Sequence, residues 1–411
     1  MAGIVVVGAG QAGAALVAKL RALGFEGPLT LIGEEPVPPY QRPPLSKKYL
    51  TGEMALERLF LRPASFYAEK DIALRVSTRV TGIDRAGKAV LIGDERIPYA
   101  QLALTTGAVP RRLPAEIGGE LDGVHVVRGL ADADAIAPEI EPGRRLLVVG
   151  GGYIGLEAAA VATTRGMEVT LIEAAPRLLA RVACAETAAW FRALHKGRGV
   201  RIHEGVALAH LTGAAGRVVG AELADGRRIA CDAVIAGIGI DPDIRLAAAA
   251  GLALDNGIAV DAEGRTSDPA IWAAGDCASF PHAGPHSSPH AGGRLRLESV
   301  QNAIDQAETV AANMLGAGQP YAPVPWFWSD QYDVKLQIAG LGAGHDRIVV
   351  RDEASGGRSH WYFAGPHLLA VDAMNVPRAY MVGKRLLEAG RSPDPAALDD
   401  PGTDLRALLR A

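Results

Sequence analysis

Two glycine triplets carry the first chemical signal in this sequence. Gly8, Gly10 and Gly13 stand in IVVVGAGQAGAAL at 4–16, and Gly150, Gly152 and Gly155 in LLVVGGGYIGLE at 146–157. At the spacing G-x-G-x-x-G the first glycine permits a tight turn, the second keeps side chains clear of an approaching ligand, and the third lets a helix pack closely on a strand. The N-terminus of that helix then faces a pyrophosphate. Each triplet is followed about 20 residues on by an acid at the end of the next apolar run, where ribose hydroxyls need an acceptor. The acid is Glu34 or Glu35 after the first triplet and Glu173 after the second. One such loop is weak evidence in a chain with 49 glycines. Two loops with both acids predict two bound dinucleotides, and the chemical reason to hold two is that one hands a hydride to the other. A carboxylate at 173 also repels a 2′-phosphate, which favours NADH over NADPH.

Such loops need strands to deliver them and helices to receive them, and the pattern supplies both. Residues 4–32 read as strand, glycine turn, helix and strand, and residues 144–173 restart the same series. Between them lies a Pro-rich stretch, EEPVPPYQRPPLSKKYL, which cannot form regular helix or central strand because proline lacks an N–H and biases its predecessor to extended backbone. Short β-like pieces follow at 72–106, and further strands are expected in RIHEG, VVGAEL and CDAVIAGIGI. A helix is expected in SVQNAIDQAETVAANML. After residue 320 the composition shifts to hairpin-like strands, WFWSDQYDVKLQIAG, RIVVRD, HWYFAG and LLAVDAM, then a closing helix and a polar tail. The fold class is therefore α/β: two parallel α/β units plus a C-terminal α+β domain.

Composition narrows the function. The 411 residues suffice for two or three domains, with 49% hydrophobic and 21% charged residues. The net charge is −4 and no Lys/Arg-rich run occurs, so nothing asks for nucleic acid. Cys184, Cys231 and Cys277 are odd in number and far apart, which argues against structural disulfides, a zinc site or a dithiol relay. A first strand from Ile4 leaves no room for a signal peptide, and no run of about 18 apolar residues is present to span a membrane. A cytoplasmic location is the expectation.

With these motifs in place, the sequence resembles the two-dinucleotide flavoprotein reductases, with FAD in the first Rossmann unit and NAD in the second. TTGAVPR at 105–111 looks like their crossover between nucleotide domains, with Thr105 where A-T-G is more usual; VIAGIGIDPD looks like the return, and IWAAGDCA like their flavin-binding segment. PYQRPPLSK, GGGYIGLE, RLESVQNAIDQA and PWFWSDQYDVKLQIAG narrow the resemblance to the ferredoxin reductases of oxygenase systems, the putidaredoxin reductase type. The resemblance runs nearly end to end. It implies two Rossmann-type domains in a glutathione-reductase-like arrangement: FAD-binding at 1–108 and 242–320, NAD-binding at 109–241, and the α+β domain at 321–411. It further implies hydride transfer from NADH to FAD, then single electrons to an iron–sulfur ferredoxin, of the two-iron two-sulfur type, that serves an oxygenase. The rivals are a reductase of rubredoxin or a small oxidant, and a flavin-bearing NADH-responsive interaction protein.

The resemblance also implies roles. Ala12, Glu34, Lys47, Val80, Arg128, Asp276, Val300 and Trp328 match FAD-contacting positions, beside Gly8, Gly10 and Gly13. Gly152, Ile154, Glu173 and Gly239 match positions around NAD, beside Gly150 and Gly155, and Glu157 matches an acid near the nicotinamide carboxamide. Lys47, Glu157 and Trp328 are the catalytic candidates. Lys47 would be a fixed cation beside the flavin, and Asp276 would bond the ribitol chain unless it simply caps a following helix. Candidate docking cations are Arg42, Lys48, Lys335, Arg378, Lys384 and Arg385. His282, His286 and His290 recur every four residues, but the prolines and glycines among them favour a solvent loop over a helical metal site, so no metal is expected.

Overall fold

The first apolar run forms the strand Gly3–Val7, every residue of it buried, and delivers the chain into the helix Gln11–Ala22. A computed structural model describes residues 2–282, 293–353, 356–400 and 402–410, and the chain divides in it into two compact units. One comprises Met1–Gln41, Leu56–Val109 and Asp241–Pro325; the other comprises Arg42–Ala55, Pro110–Ile240 and Trp326–Ala411. His286 and His290 lie outside the described residues.

In the first unit, parallel pairing sets the strand order Ile72–Arg75, Leu29–Ile32, Gly3–Val7, Glu95–Leu104, Ile271–Ala273. Strands buried on both faces must be continuously apolar, which is why IVVV does not alternate. The long strand Glu95–Leu104 also carries an antiparallel extension through Ala89–Ile92 and Gly82–Asp84. The helices Gln11–Ala22 and Val300–Met314 share a core with this sheet through Leu16, Val17, Leu20, Ala307 and Val310.

The second unit repeats the plan. Its parallel order is Arg201–Glu204, Glu168–Glu173, Arg145–Val149, Ala233–Ala236, Val124–His125. An antiparallel sheet of Leu208–Ala214, Arg217–Leu223 and Arg228–Ala230 adjoins it. The same unit contains the antiparallel sheet of Trp326–Gln331, Val334–Gly340, His367–Met374, Arg358–Ala364 and Arg347–Asp352. Val334, Leu336, Ile338 and Met374 of that sheet join Leu146, Leu156 and Phe191 in one core, so the α+β region is not packed as a separate body. The helix Pro377–Glu388 covers the other face.

The expected polar tail differs. Its short helix Pro395–Asp399 and the turn Ala407–Leu409 bury Leu398, Leu405 and Leu408 against Trp361, Phe363 and Leu386. Three leucines among many polar residues suffice because each fills an already formed apolar surface. The Pro-rich stretch is a short 3₁₀ helix, Pro43–Ser46, ending at Lys47. Among the described residues no helix is long and apolar enough to cross a membrane.

Candidate active site

The two glycine loops have one geometry. Gly8 and Gly150 take φ of +113° and +109°, which L side chains rarely adopt, and a Cβ on Gly13 or Gly155 would stand 2.0 or 2.1 Å from the carbonyl oxygen of Gly8 or Gly150. The protein itself therefore requires the first and third glycine of each triplet. It does not require the second: a Cβ on Gly10 or Gly152 meets nothing within 4 Å. Both are helix N-caps without a side-chain cap, and neither first turn holds an acid, so the leading N–H groups of two 12-residue helices open onto unfilled space. That cradle fits an anionic pyrophosphate in each unit.

Around the first loop, Thr105 explains its departure from the usual alanine. Its hydroxyl donates to the Gly8 carbonyl at 2.8 Å, tying the end of the strand Glu95–Leu104 to the glycine turn. Gly275 comes against Ala12, its Cβ position 3.0 Å from that of Ala12, and its N–H donates to Gln306 Oε1 at 2.8 Å. The other end of that amide, Gln306 Nε2, is buried without a partner, as expected where a polar ligand belongs. Asp276 does not cap a helix: the segment turns into the strand Ala278–Pro281, and the next helix, Val300–Met314, is capped by Ser299. Glu34 is exposed and paired with Arg79, whereas Glu35 accepts from Tyr40 at 2.5 Å. Val80 is nearly buried, and Val300 is the first residue of its helix.

Around the second loop, Glu173 accepts from the N–H of Gly151 at 2.6 Å and of Ala175 at 2.7 Å. It thus braces the glycine turn, and each oxygen keeps a lone pair for a further donor. Ile154 is 42% exposed at the start of the helix Tyr153–Thr164, an apolar side chain that the core does not use. Gly239 takes φ +112°, and a Cβ there would stand 3.4 Å from the Arg181 guanidinium.

The catalytic candidates fall together in the second unit. Lys47 Nζ lies 3.1 Å from Glu157 Oε1 and 3.6 Å from Asp330 Oδ2, with the Glu157 side chain 6% exposed. Lys47, expected as a fixed cation, is thus held by two carboxylates. Glu157 also accepts from Ser329 Oγ at 2.7 Å and from Ser46 Oγ at 2.9 Å. Trp328 precedes Ser329 on the strand Trp326–Gln331, its ring 5.8 Å from that of Trp326. Arg128, just before the helix Leu130–Ile136, accepts on its carbonyl from Arg42 Nη1 at 2.7 Å. Sequence reasoning missed Ser46 and Ser329. Both sit inside quoted motifs, PPLSK and WFWSDQY, yet only the fold brings two serines 283 positions apart onto one carboxylate.

The cysteines offer no redox pair. All three are free and buried, and burial raises their thiol pKa values, that of Cys231 to about 12. Cys184, His360 and Asp372 do cluster, but the Thr187 hydroxyl occupies the middle of the group. It lies 2.7 Å from His360 Nδ1, 2.7 Å from Asp372 Oδ2 and 3.3 Å from Cys184 Sγ. The group closes on a hydroxyl where an ion would have to sit.

Two nucleotide cradles on parallel sheets, one per unit, define a two-dinucleotide oxidoreductase. The chain belongs to the pyridine nucleotide-disulphide oxidoreductase family, which it matches over residues 2–307, and a reductase C-terminal domain follows at 326–409. Members of this family use FAD and NAD(P)H. The chain is 44% identical over 409 residues to a ferredoxin–NAD(P)(+) reductase of Sphingomonas, covering 99% of this chain and 97% of the other. It superposes on the crystal structure of the covalent putidaredoxin reductase–putidaredoxin complex with a TM-score of 0.93 at 39% identity, covering 100% and 98% of the two chains. The same score and identity, with 99% coverage of both, relate it to the ferredoxin reductase for the CYP199A2 system of Rhodopseudomonas palustris.

Proposed function

We propose that this enzyme oxidises NADH and passes single electrons to an iron–sulfur ferredoxin of the two-iron two-sulfur type, which serves an oxygenase. The observation that carries this reading is the pairing of two open dinucleotide cradles with the lack of any cysteine pair. Disulphide-reducing flavoproteins need a dithiol, and the three buried, unpaired thiols here cannot supply one. Full-length similarity to ferredoxin reductases supports the choice of acceptor. We assign FAD to residues 1–108 with 242–320, NAD to 109–241, and the acceptor side to 321–411. Three unpaired thiols in one chain support a reducing, cytoplasmic setting.

FAD held in the first unit would supply hydride acceptance from the reduced nicotinamide and one-electron release. The chain's residues bind and orient. Gly10 and Gly152 admit the pyrophosphates to the N-termini of their helices, with Gly8, Gly13, Gly150 and Gly155 shaping the turns. Glu34 and Glu173 accept from ribose hydroxyls, and Glu173 disfavours a 2′-phosphate by charge. In the first unit Ala12, Val80, Asp276 and Val300 line the flavin, and in the second Ile154 gives the nicotinamide an apolar side chain beside the turn at Gly239. Lys47 at the reacting end is ion-paired with Glu157 and Asp330, so it donates hydrogen bonds without adding a lone charge. The step needs proximity more than acid–base chemistry. Exposed Lys48, Lys335, Arg378 and Arg385 are the docking cations; Lys384 is already paired with Glu388, and Arg42 with the Arg128 carbonyl.

Anaerobic titration of the FAD-loaded protein with NADH tests the reading. Its yellow colour should bleach with one equivalent of NADH, and cytochrome c reduction should then require added ferredoxin. A protein that stays yellow under NADH, or reduces a disulfide as fast as a ferredoxin, refutes it.

A further inference from the structure

Glu157 terminates a line of hydrogen bonds that the reaction as described does not use. Tyr332 OH lies 3.2 Å from His195 Nδ1, and His195 Nε2 lies 2.8 Å from Gln331 Oε1. Gln331 Nε2 donates to Ser329 Oγ at 3.2 Å, and Ser329 Oγ donates to Glu157 Oε1 at 2.7 Å. His195, Gln331 and Ser329 are all 0% exposed.

Chemistry fixes the direction of every bond. A carboxylate only accepts, so the single proton of Ser329 points at Glu157 and its lone pair must receive the amide N–H of Gln331. That leaves Gln331 Oε1 to accept, which places the His195 proton on Nε2 and makes Nδ1 the acceptor from Tyr332. Burial pushes the His195 pKa down, with the Gln331 bond opposing, so the ring is neutral and carries one N–H only. All four donors therefore point the same way, toward the oxygen that also faces Lys47. Bonds in series polarise one another, by roughly 10–30% per bond. Three fully buried polar side chains are also a poor way to gain stability alone, since apolar residues of like shape would serve as well.

We infer that His195 is a positioning residue for Glu157: through Gln331 and Ser329 it sets the orientation of the carboxylate that holds Lys47. The inference rests on the proposed placement of Glu157 at the site of hydride transfer.

The test is anaerobic single-turnover reduction of the FAD-loaded enzyme by NADH, which separates the limiting rate from the affinity. Ser329→Ala should lower the limiting rate by about tenfold, the loss of one hydrogen bond to a charged group, with NADH affinity little changed. His195→Leu should lower it by about three- to tenfold, and His195→Gln, which retains an N–H at that position, should recover most of the loss. The double variant Ser329→Ala/His195→Leu should be no slower than Ser329→Ala, because both changes break one line. If His195→Leu does not fold, Tyr332→Phe takes its place, with an expected loss of about two- to threefold that likewise fails to multiply with Ser329→Ala. Multiplying effects overturn the inference, as does a wild-type rate in His195→Leu or Tyr332→Phe. If these rates stay at wild type while Glu157→Gln is slow, the inference alone fails. If Glu157→Gln itself is as fast as wild type, the placement of Glu157 falls with it.

Discussion

Substituting the glycines of the second loop one at a time separates what the polypeptide needs from what the coenzyme needs. Gly152→Ala adds a methyl group into space empty to 4 Å, at a backbone φ of −80° that alanine adopts freely. The folded protein should lose about 0.5–1 kcal/mol, the difference between Gly and Ala as an N-cap. A pyrophosphate at that helix end would be pushed off one N–H donor. A hydrogen bond to a charged group contributes about 1.5–3 kcal/mol, which corresponds to a rise in KM for NADH of about 10- to 150-fold. Gly155→Ala is the converse. Its Cβ falls 2.1 Å from the Gly150 carbonyl oxygen, where contacts under 3.0 Å are essentially never seen, so strand and helix must part by about 1 Å. That overpacking should cost about 1–3 kcal/mol. Thermal melts and NADH-dependent ferricyanide reduction, run side by side, give the comparison: Gly152→Ala loses affinity with the smaller drop in Tm, while Gly155→Ala loses several degrees. A Gly152→Ala enzyme with unchanged KM, or one whose Tm drops as far as that of Gly155→Ala, would refute the cradle.

Three more expectations rest on the same structure. Burial raises the Asp372 pKa to about 6 and lowers that of His360 to about 4. Asp372 thus contributes stability that is full below pH 4 and lost as pH rises through 6, whereas His360 contributes stability that is full above pH 6.5 and lost as pH falls through 4. The two trends offset, so Tm against pH should slope oppositely in Asp372→Asn and His360→Gln between pH 4 and 6.5, with wild type flatter than either; slopes of one sign would contradict this. Lys335→Glu with Arg378→Glu should raise the KM for ferredoxin severalfold and leave ferricyanide reduction intact, and equal loss of both activities would count against docking there. Thr105→Ala removes the hydroxyl that holds the Gly8 carbonyl, so it should cost about 1 kcal/mol in stability and speed FAD release, measured by flavin fluorescence.

The elements that could be read from the sequence are those set by local rules. IVVV and LLVV, their glycine turns and the helices after them obey strand and helix periodicities that need no distant partner, and they form as expected. RIVVRD became a strand at those residues, Arg347–Asp352. The tail was misjudged because Leu398, Leu405 and Leu408 find their apolar surface only after the C-terminal sheet exists. From sequence Asp276 could cap a following helix, whereas pairing of Ala278–Pro281 with Ile258–Ala259 makes the residues after it a strand. The site's charge balance was equally hidden. Lys47 reads as a fixed cation after a rigid turn, and its ion pairs with Glu157 and Asp330 join segments that sequence spacing does not relate.

The second unit draws on three separate stretches of chain, and this sets the order in which a ribosome can finish it. Lys47 emerges 282 residues before Ser329. At about 5–20 residues per second, the serine that steadies Glu157 follows the lysine by roughly a quarter of a minute to a minute. Nascent polypeptides and products of premature termination before Trp326 therefore carry a nucleotide cradle without the serine that bonds Glu157. The bond from Ser329 to Glu157 can form only with the last fifth of translation.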